Sequence, residues 1–303
     1  MIGRILNGDP RAIARAATLV ENRQATALLK QLFPHSGKAL VIGVTGAPGA
    51  GKSTFVNQLA SLLRTEQKRV AILAVDPTSP YSGGAILGDR IRMLQHHSDP
   101  GVFIRSMATR GHLGGLAPTA ADMTLLFDAA GCNVVIVETV GVGQDEVEIA
   151  RLADVTLVVL TPNAGDDIQA LKAGIMEIAD VFILNKSDLN GADKLERDLK
   201  ASFTLSHRPD GWTPLVVRTV AAESKGIEEA LAAARTYQAT GLSQQRRVEI
   251  WATRLREMLR ERLLERYDPA VFEKAAQAVL EHETDPYTVI DELLGICHNP
   301  DLF

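Results

Sequence analysis

The nine residues Gly46-Ala47-Pro48-Gly49-Ala50-Gly51-Lys52-Ser53-Thr54 have the types and order needed to wrap an anion. They fit the pattern GxxxxGK[ST] and stand between a short β-branched run and an amphipathic stretch, the strand-to-helix setting this loop requires. Glycines let the main chain curl so that successive N–H groups and a helix N-terminus point at a β-phosphate. Lys52 then reaches the β- and γ-phosphate oxygens, and the Ser53 hydroxyl takes one octahedral position on Mg²⁺. A nucleoside triphosphate and a magnesium ion are the expected cofactors.

The base is read further along. Asn185-Lys186-Ser187-Asp188 follows the apolar run Val181-Phe182-Ile183-Leu184 and matches NKxD. A carboxylate there accepts from guanine N1–H and the exocyclic amine together, whereas adenine offers no N1–H and leaves the acid unpaired. GTP and GDP are therefore favoured over ATP and ADP. Thr219-Val220-Ala221-Ala222-Glu223-Ser224-Lys225 stands where such proteins buttress the base with main chain, through Ala221 and Ala222. Between these motifs the run Asn133–Val137 ends in Glu138-Thr139-Val140-Gly141. Glu138 takes the place of the usual Asp that bears on the metal, and Gly141 that of the γ-phosphate sensor. Asp76 closes another apolar run, and Asp89 follows the Gly83-Gly84 turn. From spacing alone each is either a metal-site acid or a helix cap.

These residues need a scaffold. Short β-branched runs at 39–45, 69–75, 102–106, 133–138, 155–161, 181–185 and 214–220 are mostly apolar on both faces, and helical spacing separates them, as at 52–66 and 117–131. Strand and helix in alternation predict an α/β fold with a mainly parallel sheet covered on both sides. Residues 10–33 and 244–267 carry apolar positions at helical intervals without strand signals. The expected organisation is an N-terminal helical segment (1–38), a phosphate-loop domain (39–240) and a C-terminal helical region (241–303), with Gly241-Leu242-Ser243 as the joint.

Composition narrows the partners. The 303 residues are 46% hydrophobic and 23% charged, with 32 Lys+Arg against 37 Asp+Glu, a net charge of −5. Without a basic excess, nucleic acid and anionic membrane are not expected partners. Cys132 and Cys297 form no CxxC pair, which argues against a thiolate zinc site and fits a reducing compartment. The N-terminus has no signal-type apolar stretch, and no run approaches the ~18 apolar residues of a membrane helix, so a cytoplasmic location is expected. His112 lies in the Gly-rich Thr109–Gly115 loop, open to a base role or to a partner-facing one. His96-His97 has no third ligand at metal spacing and is expected on the surface.

Taken together, GAPGAGKST, AVDPTSPYSGGAILGDRIRM, FIRSMATRGHLGGLA, ETVGVGQDEVEIARLAD, PNAGDDIQALKAGI and NKSD resemble the methylmalonyl-CoA mutase-associated G-proteins, the MeaB/ArgK group, over nearly the whole chain. The resemblance implies a homodimeric GTPase that gates adenosylcobalamin loading of an acyl-CoA mutase and protects the mutase, with a cobalamin adenosyltransferase as a further partner. It makes Asp76, Asp89 and Glu138 the acidic Mg²⁺ and switch residues. It also implies that 138–148 is the second switch and Thr161–Lys172 an additional one, with Lys172 reaching toward the nucleotide. The helix at 244–267, with its Trp251 stripe, would be a dimerisation arm. Asp145 departs from the pattern, standing where a small hydroxyl residue is expected. Three other classes compete, of which a protein-targeting GTPase would need a Met-rich signal-binding domain and is disfavoured by 6 Met scattered over the chain. A metallochaperone GTPase should show a Cys/His cluster, and a small-molecule kinase shares the phosphate loop but not the guanine reader.

Overall fold

The structure, a computed structural model, describes residues 1–76, 96, 98–108, 117–139, 145–162, 175–203, 208 and 210–295. Three helices open the chain, α1 (Ile2–Leu6), α2 (Pro10–Glu21) and α3 (Thr26–Leu32). Strand β1 (Leu40–Thr45) leads into α4 (Lys52–Thr65), followed by β2 (Val70–Asp76), β3 (Val102–Ala108), α5 (Ala117–Ala129) and β4 (Val134–Thr139). Then come α6 (Asp145–Ala150), β5 (Val155–Leu160), α7 (Ile175–Ile178), β6 (Val181–Leu184), α8 (Ala192–Phe203), β7 (Leu215–Arg218) and α9 (Ile227–Ala239). Helices α10 (Leu242–Leu264), α11 (Pro269–Leu280) and α12 (Pro286–Leu294) end the described chain.

The strands form one seven-stranded sheet in the order β3-β2-β4-β1-β5-β6-β7, and every pairing is parallel. Continuous apolar runs suit such a sheet because both faces are covered. Val134 and Ile136 of β4 join Phe55, Leu59 and Leu63 of α4 and Ala234 and Tyr237 of α9 on one face. Val135 and Val137, one residue out of phase, join Phe127 of α5 and Ile13, Ala17 and Val20 of α2 on the other. Each fully buried Val, Leu, Ile or Phe contributes roughly 1.5–3 kcal/mol. The N-terminal helices thus complete the core over β2 and β4, and α2 is tied down by Glu21, which takes Nε and Nη2 of Arg105 on β3 at 2.8 and 2.6 Å.

Three helices begin the same way. Asp9, Asp268 and Asp285 precede Pro10, Pro269 and Pro286, and each carboxylate accepts a main-chain N–H of the first turn, from Ala12, Ala270 and Tyr287 respectively. An Asp cap followed by a proline that needs no N–H partner fixes each start. The chain divides into two compact units, Met1–Ile250 and Trp251–Phe303. In the second, Tyr267 and Phe272 meet edge to face at 6.1 Å, and the Tyr267 hydroxyl donates to the Leu293 carbonyl.

The N-terminal edge of the sheet is closed by ion pairs. Asp154, just before β5, accepts from Val41 N–H at 2.9 Å and holds Arg247 through both carboxylate oxygens. Asp180, just before β6, accepts from Thr156 N–H at 2.8 Å and takes Arg246 at 2.6 and 2.7 Å and Arg208 at 3.2 Å. These bonds seat the first turns of α10 under β1, β5 and β6. No described helix is long and apolar enough to cross a membrane.

Candidate nucleotide site

At the opposite edge, β1 ends and α4 begins around residues 46–51. Gly46, at φ +137°, lies so close to Val159 of β5 that a Cβ would collide with the Val159 carbonyl. Gly51, at φ +92°, opens α4 in the left-handed region, where a Cβ would strike the Asn185 amide. Both positions need glycine for conformation and for close approach. Ala50 and Gly49 offer their carbonyls to Asn185 Nδ2 at 2.8 Å and Lys186 Nζ at 3.0 Å. Pro48 and Thr54 are exposed and Ala47 is half-buried. Helix α4 starts at Lys52 directly after this loop, and a helix N-terminus so placed is the arrangement that receives phosphate.

Two charged side chains sit beside the loop and are almost completely buried. The Lys52 ammonium donates to the carbonyls of Gly46 at 2.7 Å and Ala47 at 3.0 Å. Glu138, on β4 next to β1, accepts from the Ser53 hydroxyl at 2.6 Å. Next to it, Thr139 Oγ1 donates to Thr45 Oγ1 at 2.9 Å and locks the ends of β4 and β1 together. This buried pair of charges brackets the mouth of a phosphate loop. Ser53 and Glu138 are hard oxygen donors of the kind Mg²⁺ takes. Asp76 closes β2, in register with Ala108. Asp89, Gly141 and Lys172, which the sequence also marks, lie outside the described residues, as do His112 and most of 161–172.

Asn185 joins three parts of the site. While its Nδ2 holds Ala50, its Oδ1 accepts from Thr219 Oγ1 at 3.1 Å and from Ala221 N–H at 3.0 Å. Ser187 reinforces the link, since its N–H and its hydroxyl both donate to the Thr219 carbonyl at 3.1 Å. The phosphate loop, the NKSD turn and the 219–225 turn are therefore one hydrogen-bonded body. Lys186 reaches Gly49 from φ +55°, a left-handed conformation that a non-glycine residue adopts at a cost. Asp188 and Ala222 are exposed at the surface of this body, whereas Ala221 is buried. The Lys225 ammonium is held above its usual pKa chiefly by its hydrogen bond to Glu223, with a smaller electrostatic contribution from Asp188.

The sequence places Ser187 and Thr219 inside their motifs but assigns neither a role, because the contacts they make join separate turns of the chain. His96 corrects an expectation. It is buried rather than on the surface, with Nε2 lying 3.1 Å from the Asn57 carbonyl and 3.4 Å from Ser61 Oγ of α4. A histidine between charged and polar neighbours reads as solvated, yet polar partners on a helix facing it are enough to bury it.

Comparison with known proteins agrees with this geometry. The family described as methylmalonyl Co-A mutase-associated GTPase MeaB matches residues 13–271. The chain is 43% identical to GTPase ArgK of Escherichia coli over 238 residues, 75% of this chain and 72% of that one. It is 35% identical to the mitochondrial methylmalonic aciduria type A homolog of Mus musculus, across 77% of this chain and 61% of that protein. Among solved structures, a LAO/AO transport system kinase superposes with a TM-score of 0.71 at 30% identity, covering 97% of this chain and 95% of the other.

Proposed function

Because the chain belongs to the methylmalonyl-CoA mutase-associated GTPase family, we propose that it converts GTP and water to GDP and phosphate, and that this turnover gates adenosylcobalamin loading and protects an acyl-CoA mutase. The observation that carries the GTPase half is the body organised by Asn185, which ties the phosphate loop to the base-reading turns. The mutase half rests on family membership.

In this proposal residues 46–54 hold the phosphates and Asp188 reads guanine N1–H and the 2-amine. Lys52 exchanges the carbonyls of Gly46 and Ala47 for β- and γ-phosphate oxygens. Ser53 and Glu138, together with Asp76 and Asp89, would hold Mg²⁺, whose charge would offset that developing on the γ-phosphoryl group. Gly141 and the 138–148 segment sense the γ-phosphate, and Thr161–Lys172 forms the additional switch through Lys172. β5 ends at Leu160, so this segment begins beside Gly46, whose main chain packs on Val159. That proximity supports a link between phosphate state and the segment. A homodimer is favoured by the face of α10, where Val248, Trp251, Leu255, Met258 and Leu259 are all exposed. The cytoplasm is the proposed location, and a cobalamin adenosyltransferase a further partner.

The test is steady-state GTP turnover with and without an adenosylcobalamin-dependent acyl-CoA mutase. If mutase binds one nucleotide state better, linkage requires it to change nucleotide affinity or turnover. A slow intrinsic rate that rises with mutase supports the proposal. A rate indifferent to methylmalonyl-, ethylmalonyl-, isobutyryl- and 2-hydroxyisobutyryl-CoA mutases would remove the chaperone role while leaving the GTPase standing.

A further inference from the structure

Several arginines of this protein hold a carboxylate through the same edge. Nε and Nη2 lie on the same edge of the guanidinium and donate in parallel to the two oxygens. Arg64 grips Asp99 so, at 2.8 and 3.1 Å. Arg105 grips Glu21 at 2.8 and 2.6 Å, Arg208 grips Asp210 at 3.0 and 2.6 Å, and Arg247 does the same with Asp154. Arg69, immediately before β2, is different. Its guanidinium makes one bond, from Nη1 to the Ala130 carbonyl at 3.1 Å, and the Nε–Nη2 edge has no acceptor among the described residues.

Arg69 lines a cavity of about 180 Å³ at the N-terminal edge of the sheet, far along β2 from the phosphate loop. Gly8, at φ +74°, forms part of the wall, and a Cβ there would run into the Arg69 head. Pro10, Ile13, Val102 and Phe103 give the cavity an apolar side. Its own acid is already committed, since Asp99 faces Arg64 and also accepts from Gly101 N–H at 2.7 Å. Nearby Asp128 is likewise engaged, by the N–H groups of Gly37, Lys38 and Ala39. Cys132, on the same wall, is pushed up to about 11 by burial and brings no negative charge at neutral pH. The wall of the cavity therefore combines Arg69, whose Nε–Nη2 edge has no acceptor among the described residues, with apolar side chains.

We propose that this cavity binds a small monocarboxylate with a short apolar body, its two oxygens on Nε and Nη2 of Arg69 and its hydrocarbon against Pro10, Ile13 and Phe103. A single flat donor edge matches a carboxylate better than a phosphate, whose three oxygens call for more donors than the wall offers. The bond joins the N-terminal helices to β2, so occupancy stiffens that junction without touching the nucleotide.

The probe is isobutyrate, with the uncharged isobutyramide as its control, titrated into GDP-saturated protein and followed by ligand-observed NMR. Saturable binding of the acid and none of the amide is expected, with a dissociation constant on the order of millimolar for one charge-assisted contact in a small pocket. Arg69→Met should weaken the acid at least ~10-fold. Since that variant also loses the Ala130 bond, Ser98→Asp provides the second arm. Ser98 is an exposed residue that lines the same cavity, so the fold tolerates the change, and a negative charge placed there should repel the acid and weaken it by a measurable factor. Equal binding of acid and amide, no binding to the parent protein, or unchanged affinity in Ser98→Asp would each overturn the proposal.

Discussion

The two edges of the sheet handle buried charge in opposite ways. At the N-terminal edge, Asp154 and Asp180 meet guanidinium groups on α10 and Arg208, and main-chain N–H groups take the remaining lone pairs. At the C-terminal edge, the Lys52 ammonium is held by loop carbonyls and the Glu138 carboxylate by a serine hydroxyl. Charge against charge in bidentate geometry is strong and is not readily exchanged. Carbonyl and hydroxyl contacts of this kind give way to a phosphate or a metal ion. One edge is thus built to stay shut and the other to trade partners, which is what open α/β sheets do where ligands bind beyond the carboxyl ends of the strands.

The largest effect should come from breaking the closed edge. Arg247→Met leaves Asp154 buried with only the Val41 N–H, and loss of one partner from a buried pair costs about 3 kcal/mol or more. Urea unfolding should show that loss, while the nucleotide affinity of the folded fraction stays the same. A fall in GTP affinity equal to the loss of stability would mean that the two edges are not separable.

Next in size is Lys52→Ala at the open edge. Removing a cation aimed at developing charge costs about 10²–10³ in turnover. Turnover within about threefold of the parent, far short of that loss, would show that Lys52 does not act on phosphate.

The smallest effect is acid sensitivity. Arg64, and after it the Gly101 N–H, hold Asp99 below its ordinary 3.8. A carboxylate with a depressed folded-state pKa stabilises fully above its unfolded value and loses that contribution as pH falls through the folded one. Asp99→Asn should therefore flatten the stability profile below about pH 4 and lower stability at neutral pH. An unchanged acid limb would place the sensitivity on other carboxylates.

Much of this architecture is legible in the sequence. The seven runs of β-branched residues fall on the seven strands, because a parallel sheet covered on both faces needs apolar side chains at successive positions, not at alternate ones. GAPGAGKST and NKSD were legible as motifs because their chemistry fixes residue types within a few positions. What spacing could not show was contact across long separations. Arg246 and Arg247 look like two more charges in an Arg/Glu-rich helix, yet they meet Asp180 and Asp154, 66 and 93 residues away. Asn185 is visible as a base-reading residue, but its grip on Ala50 and Ala221 is a property of the folded chain. His96 was misplaced for the same reason, since its partners Asn57 and Ser61 lie on a helix 35 residues or more upstream.

Base identity tests the account most directly, because it is what separates a guanine-nucleotide site from a phosphate loop of any other kind. Competition binding of GTP, XTP and ATP to the parent protein and to Asp188→Asn is the measurement. The parent should prefer GTP, and Asp188→Asn should turn that preference toward XTP, because the amide donates to the 2-carbonyl of xanthine where the carboxylate cannot. A parent that binds ATP as well as GTP, or a variant that still prefers GTP to XTP, would contradict it.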